Sequence, residues 1–241
     1  MKFALISDIH ANVESLEAVL AQIPDDRRVL CLGDIVGYGP NPNECVALVR
    51  ARAHATVLGN HDVAAVDGFG IEYFNPAART AIEWTRGVID PDHAAWLDGL
   101  AYELRTDDYL MVHGAPVDYF TYILDKRDAA RAFEATDAPL IFVGHTHLAD
   151  YYALGPGGAI EHAHRQHGGR LDLDPKCRYI VNAGSVGQPR DLNPAASFAT
   201  YDSNERSIVW ERVAYPIATT QEKIGAAHLP DVLAKRLAVG R

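Results

Sequence analysis

The 241-residue chain has no apolar run approaching the roughly 20 residues that span a bilayer, so no membrane-spanning helix is expected. Positive charge is also short: 22 Lys and Arg stand against 32 Asp and Glu, a formal net charge of −10. That balance repels polyanions at long range and disfavours a nucleic-acid partner, although a small anionic substrate beside bound cations stays compatible with it. Cysteine is scarce. Cys31, Cys45 and Cys177 are odd in number and unrelated in spacing, which fits neither a disulfide framework nor a thiolate zinc site. Cys31, in "RVLCLGD", reads as a buried strand residue. Repeats and low-complexity segments are absent. The N-terminus offers one Lys and a short strand in place of a basic, apolar leader, and cleavage there would remove Asp8 and His10; we therefore expect a cytoplasmic protein.

What the chain does have is an ordinary globular composition, 48% hydrophobic and 22% charged, at a length that suits one α/β domain over residues 1–241. Residues 2–7 and 28–33 read as buried strands. Between them Leu16, Val19, Leu20 and Ile23 recur at helical spacing after Asn12, a candidate N-cap, which makes a βαβ unit. Helices are expected at 42–52, 76–87, 91–99 and 127–136, and strands at 55–58, 109–113 and 139–143. After residue 150 the pattern turns strand-rich, with strands at 150–154, 159–163, 178–182, 196–202 and 206–213 and "DSNE" as a hairpin turn. Residues 217–238 close the chain as one or two helices, the second starting at Pro230. Alternating β and α followed by a β meander predicts an α/β fold of mixed sheets packed face to face with helices outside.

Five of the apolar strands stop at a polar residue able to ligate or titrate. "LISDIH" ends in Asp8 and His10, "VLCLGD" in Asp34, "TVLGNHD" in Asn60, His61 and Asp62, "YLMVHG" in His113, and "LIFVGHTH" in His145 and His147. In an extended segment alternate residues share a face, so Asp8 and His10 can converge on one point. A single such histidine is ordinarily a hydrogen-bonded loop or core residue. Five strand ends of this kind are harder to explain by packing, because burying Asp or His costs free energy unless something compensates. Carboxyl ends of strands are also where open α/β sheets bind ligands. Two Asp, one Asn and four His form a donor set that suits Mn, Fe, Zn, Co or Ni better than Ca or Mg. Seven donors exceed the needs of one ion, which points to two divalent ions sharing a bridging carboxylate, with Asp34 as the bridge.

The motifs DIH at 8–10, GD at 33–34, GNHD at 59–62, HG at 113–114 and GHTH at 144–147 resemble, in order, those of the calcineurin-like metallophosphoesterases. "NAGSVGQPRD" at 182–191 looks like the family's small bacterial and archaeal phosphodiesterase branch. The resemblance implies a four-layer α/β/β/α sandwich of two mixed β-sheets flanked by helices. It also implies that Asp8, His10 and His147 bind one metal, that Asn60, His113 and His145 bind the other, and that Asp34 bridges them. His61 matches the catalytic histidine, with Asp62 expected to orient its ring through a hydrogen bond. The implied reaction is hydrolysis of a small phosphodiester by in-line attack of a metal-bridging hydroxide, with His61 stabilising or protonating the leaving oxygen.

"GDIVGYGPNPNE" departs from the protein phosphatases and symmetrical diadenosine tetraphosphate hydrolases, which carry an Arg shortly after the corresponding GD. Gly37, Tyr38 and Gly39 stand there instead, which counts against a phosphoprotein and leaves a small phosphate ester as substrate. Tyr38 is a candidate for stacking on a base or aryl group, and Arg190 for contacting phosphate, although plain turn chemistry accounts for the Tyr38 loop equally well and a lone loop arginine more often makes a surface salt bridge. His162, His164 and His167 lie between Gly-rich turns and read as a solvated hairpin tip rather than a third metal site. Competing functions are a phosphomonoesterase, a nuclease, or a metal-binding scaffold that binds partners without turnover; scaffolds of this family lose the catalytic histidine, whereas His61 is present. The sequence assigns no oligomeric state.

Overall fold

The computed structural model describes residues 1–241 and places two six-stranded sheets face to face. The first sheet has the order β3-β2-β1-β11-β12-β9. Its parallel half is β1 (Lys2–Ile6), β2 (Arg28–Cys31) and β3 (Ala53–Thr56); its antiparallel half is β11 (Ala196–Asp202), β12 (Ser207–Val213) and β9 (Gly169–Asp172). The second sheet runs β4-β5-β6-β10-β7-β8. It consists of β4 (Glu103–Arg105), β5 (Leu110–Val112), β6 (Leu140–Val143), β10 (Arg178–Ala183), β7 (Ala149–Leu154) and β8 (Ile160–His164), with β5, β6 and β10 parallel. Phe3, Leu5, Leu30, Phe142, Val181 and Trp210 fill the space between the sheets. Burying each such side chain contributes about 1.5–3 kcal/mol relative to exposure.

Helices cover the outer faces. α1 (Val13–Leu20), α2 (Pro42–Arg52), α3 (Asn60–Val66), α4 (Pro76–Val88) and α5 (Pro91–Asp98) belong to the side of the first sheet, where Leu16, Val19 and Val46 pack on Ile6 and Cys31. On the second sheet α6 (Lys126–Ala135) buries Ala129, Ala132 and Phe133 against Ile141 and Ile180. α7 (Ile217–Ala226) and α8 (Asp231–Leu237) pack together and enclose Tyr38 with Ile224, Leu233 and Leu237. This is the α/β architecture of two mixed sheets flanked by helices that the sequence predicts, and no helix is long and apolar enough to cross a membrane. Cys31 and Cys45 are buried and all three cysteines are free.

The local signals act as expected in most places. The Asn12 side chain accepts from the Ser15 amide at 3.2 Å and caps α1. In "DSNE" the Asp202 carboxylate takes the Asn204 amide at 2.9 Å and turns β11 into β12. Four elements differ from the sequence reading. β3 ends at Thr56; Val57 N–H still donates to Cys31 O at 3.0 Å, but Leu58 N–H turns to Ala101 O at 2.9 Å. α3 was not expected, because its seven residues are too short to show a period. β4 and β9 have only three and four residues, too few to show an alternation, and pair with β5 and β12.

Candidate metal centre

Strands β1, β2, β5 and β6 release Asp8, Asp34, His113 and the His145–His147 pair at one edge, and the turn after β3 delivers Asn60 and His61 on the first turn of α3. Most of these residues are completely or nearly buried: Asp8, Asp34 and His113 are 0% exposed, His10 1% and His147 2%. Asp8, His10, Asp34, His145 and His147 all adopt positive φ, between +51° and +67°. Left-handed backbone at non-glycine residues is costly and persists only where the surroundings enforce it, typically at functional sites. The segment 182–191 does much of the enforcing. Asn182 donates to Gly144 O at 2.7 Å and to Thr146 Oγ1 at 2.9 Å, while Ser185 Oγ donates to Asp8 O at 2.7 Å. Gly59 is required on the other side, since a Cβ there would overlap Asp34 Oδ1.

The donor atoms form two adjoining groups. In the first, His147 Nε2 lies 3.3 Å from Asp8 Oδ1 and 3.1 Å from His10 Nε2. In the second, His113 Nε2 lies 3.1 Å from both Asp34 Oδ2 and His145 Nδ1. Asp34 Oδ2 joins the groups, because it is also 3.7 Å from His10 Nε2. That oxygen is buried and makes no hydrogen bond, and the same holds for Asn60 Oδ1. Asp34 Oδ1 is occupied by the His61 amide at 2.8 Å.

These residues fit divalent metal ions. The carbonyls of Val36 and Gln188 accept hydrogen bonds from Nδ1 of His10 (3.1 Å) and His147 (2.6 Å), which leaves each Nε2 bearing a lone pair. Burial holds both rings well below the usual histidine range, so they are neutral and the two lone pairs confront each other. Two lone pairs 3.1 Å apart cannot bond to one another, and a cation between them removes the repulsion. Burial pushes Asp8 up to about 7. At Asp34 burial works upward too, but the neighbouring His113 and His61 imidazoles outweigh it and hold the carboxyl well below its usual range.

His61 sits on the floor of the same rim, with burial pushing its imidazole down to about 4. Gly37, at φ +86°, lies so close beneath the ring that a Cβ would overlap His61 Nδ1. The expected Asp62–His61 hydrogen bond is not made. Asp62 spends its carboxylate on backbone amides, Oδ1 on Ile35 at 2.8 Å and Val36 at 3.1 Å, and Oδ2 on Gly59 at 3.1 Å. It fastens the GD and GNHD loops to each other and acts on the histidine only through them.

Tyr38 and Arg190 meet at the edge of the centre, Arg190 donating to Tyr38 Oη at 3.2 Å and to Gln188 Oε1 at 3.3 Å. Arg190 has no carboxylate partner, and its Nε is buried and unbonded. Tyr38 is 5% exposed, its ring packed against His10 and His61 and beneath Arg190 and Arg236, which leaves little of the ring free to stack on a base or aryl group.

The histidine run is also not a hairpin tip. His162 and His164 are on β8, with His162 Nε2 2.9 Å from Asp150 Oδ2 and its ring stacked on Tyr152 at 4.1 Å, while His167 lies beyond the strand. Sequence reasoning missed the aromatic residues of 68–75 and 118–122 that line a cleft over the centre; the clustering in "GFGIEYFN" and "DYFTY" was the available signal.

The calcineurin-like phosphoesterase superfamily domain matches residues 1–206. The chain belongs to that superfamily. It is 38% identical to an uncharacterised protein of Methanocaldococcus jannaschii over 247 aligned residues, covering 99% of this chain and 98% of that one. A crystal structure of a metallophosphoesterase from Sphaerobacter thermophilus is 40% identical, covers all of both chains and superposes with a TM-score of 0.89. A hypothetical protein of Pyrococcus horikoshii shares the fold at 18% identity and a TM-score of 0.79, covering 100% of this chain and 98% of that one. A 68-residue stretch, 26% of this chain and 24% of the relative, is 35% identical to the symmetrical bis(5'-nucleosyl)-tetraphosphatase of Pectobacterium carotovorum.

Proposed function

We propose that the protein is a dinuclear metal-dependent phosphodiesterase that hydrolyses a small phosphodiester. The observation that carries this reading is Asp34 Oδ2, a buried carboxylate oxygen without a hydrogen bond, within 3.7 Å of imidazoles from both donor groups. Asp8, His10 and His147 would hold one transition-metal ion and Asn60, His113 and His145 the other, with Asp34 placed to serve both. Mn, Fe, Zn, Co and Ni all suit these donors. When bound, the ions supply a water acidic enough to ionise near neutral pH and positive charge to offset that on phosphate oxygens.

The remaining steps fall to side chains of this chain. Arg190, with an unspent guanidinium held by Tyr38 and Gln188, clamps a phosphate oxygen through charge-assisted hydrogen bonds. His61, kept neutral by burial, stabilises the leaving oxygen by donating its ring N–H rather than by releasing a full proton beforehand. Asp62 keeps the His61-bearing turn tied to the Asp34 loop. A diester is favoured over a phosphoprotein because the GD loop lacks the arginine of the protein phosphatases and presents Gly37-Tyr38-Gly39 instead.

Manganese-loaded protein is expected to turn over bis-p-nitrophenyl phosphate and to stop in chelator. His61→Ala should lose about 10²–10⁴-fold in turnover while retaining its metal. A metal-binding scaffold would show no turnover in either protein, and near wild-type rates in His61→Ala would remove the histidine from the reaction.

A further inference from the structure

A cleft of about 710 Å³ opens directly over the centre, with Asn60, His61 and His145 among its lining residues. The rest of the lining is largely aromatic. Phe69, Tyr73 and Phe74 come from the segment between α3 and α4, and Phe120 and Tyr122 from the segment between β5 and α6. Phe69 is 67% exposed and Tyr73 86%, an arrangement that wets large apolar surface with no gain to the fold. The inner rings connect to the centre itself: Tyr122 stacks flat on His145 with centroids 3.8 Å apart, and Phe74 meets His61 edge-on at 4.6 Å.

Charge is nearly missing from this cleft. Its one ionic side chain, Asp118, is spent on its own loop, taking the Phe120 and Thr121 amides and the Thr121 hydroxyl. No Lys or Arg lines it, so nothing there would hold a second phosphate or a polyanionic chain. No carboxylate is left to attract a cationic headgroup. A volume of this size is far larger than a trimethylammonium group needs, whereas rings projecting from two segments suit a flat guest.

We propose that this cleft binds the organic group of the substrate, that this group is an uncharged planar aromatic system of nucleobase or aryl type, and that Phe69 and Tyr73 select it by stacking. The inference rests on the phosphodiesterase reading for the phosphate end, and the cleft specifies the other end. Stacking on aromatic side chains tolerates different ring types, so affinity should track ring area.

Calorimetric titration of manganese-loaded protein with methylphosphonate, phenylphosphonate, thymidine 5'-monophosphate and phosphocholine tests this without requiring turnover. Phenylphosphonate and thymidine monophosphate should bind at least about tenfold more tightly than methylphosphonate, and that ratio should collapse in the Phe69→Ala/Tyr73→Ala double variant. Thymidine monophosphate binding more tightly than phenylphosphonate would name a nucleobase, and the reverse an aryl ester. Equal affinities for methyl and phenyl ligands, or a ratio unmoved in the double variant, would overturn the proposal. Phosphocholine binding as the tightest would overturn it in favour of a cation cage. Both exposed residues can be truncated without opening the core, and the manganese content of the loaded double variant reports whether it is folded. Ring-selective binding without hydrolysis of any ester would count against the phosphodiesterase reading alone.

Discussion

Two clusters of histidine and aspartate occur in this molecule, and they differ in how they are built. The rim cluster gathers Asp8, His10, Asp34, His113, His145 and His147 from four strand ends in two sheets, five of them on left-handed backbone. It leaves Asp34 Oδ2 and Asn60 Oδ1 buried and unbonded. The other cluster, Asp150 with His162 and His164, arises from adjacent strands of one hairpin, β7 and β8, where antiparallel register alone brings the side chains together. There the buried carboxylate already has its partner in His162, and the side chain of His164 is 59% exposed. Proximity of donors is therefore a weak criterion. Strain and unsatisfied buried polar atoms are the stronger signs of a metal-binding site.

The sharpest way to break the comparison is to remove the atom on which the rim cluster turns. Asp34→Asn keeps the shape but takes away the charge shared by both donor groups. Metal content should fall from two equivalents to one or fewer, and kcat/KM by about 10³-fold, roughly 4 kcal/mol. Full metal content by elemental analysis together with retained activity would mean that Asp34 is not the bridge.

A second difference is in proton competition. Asp8 is pushed up to about 7 by burial; His113 is pulled down by burial but carried up to about 9 by Asp34. Both must release protons before they can ligate. Apparent manganese affinity should therefore tighten as pH rises from 6 to 8, by up to about tenfold per pH unit for each proton displaced. Calorimetry in two buffers of different ionisation enthalpy would read the released protons directly. An affinity flat across that range would show that the metal-free centre carries no such protons.

Much of the fold and the rim could be read from residue order, because both are written in local pattern. Apolar runs ending in Asp8, Asp34, His113 and His145 mark strands and candidate ligands together, and the mixed-sheet sandwich follows from βα alternation giving way to a meander. What could not be read depends on atoms without sequence identity. The carbonyls of Val36, Leu32 and Gln188 orient His10, His113 and His147, and any residue could supply them. Asp62 was misread for the same reason: its partners are backbone amides of Ile35, Val36 and Gly59, whereas sequence adjacency suggested the His61 ring. The His162–Asp150 pair joins residues 12 apart across a hairpin, so its register decides a contact that spacing alone leaves open.

That pair also supplies the mildest perturbation. His162→Ala leaves Asp150 buried at 3% exposure without its hydrogen-bond partner, a loss of about 1–3 kcal/mol. At about 2–4 °C per kcal/mol for a chain of this size, Tm should drop by a few degrees. Burial already pushes the Asp150 carboxyl above its usual range, and His162 is the first of the groups that pull it back, so the variant should carry a proton on Asp150 to higher pH than the wild type. Zinc content should stay at two per chain and turnover should be unchanged, because this cluster shares no residue with the rim donors. A wild-type protein that takes up three zinc equivalents and loses the third in His162→Ala would place the two clusters in the same class, and would make proximity of donors a better guide than unsatisfied atoms.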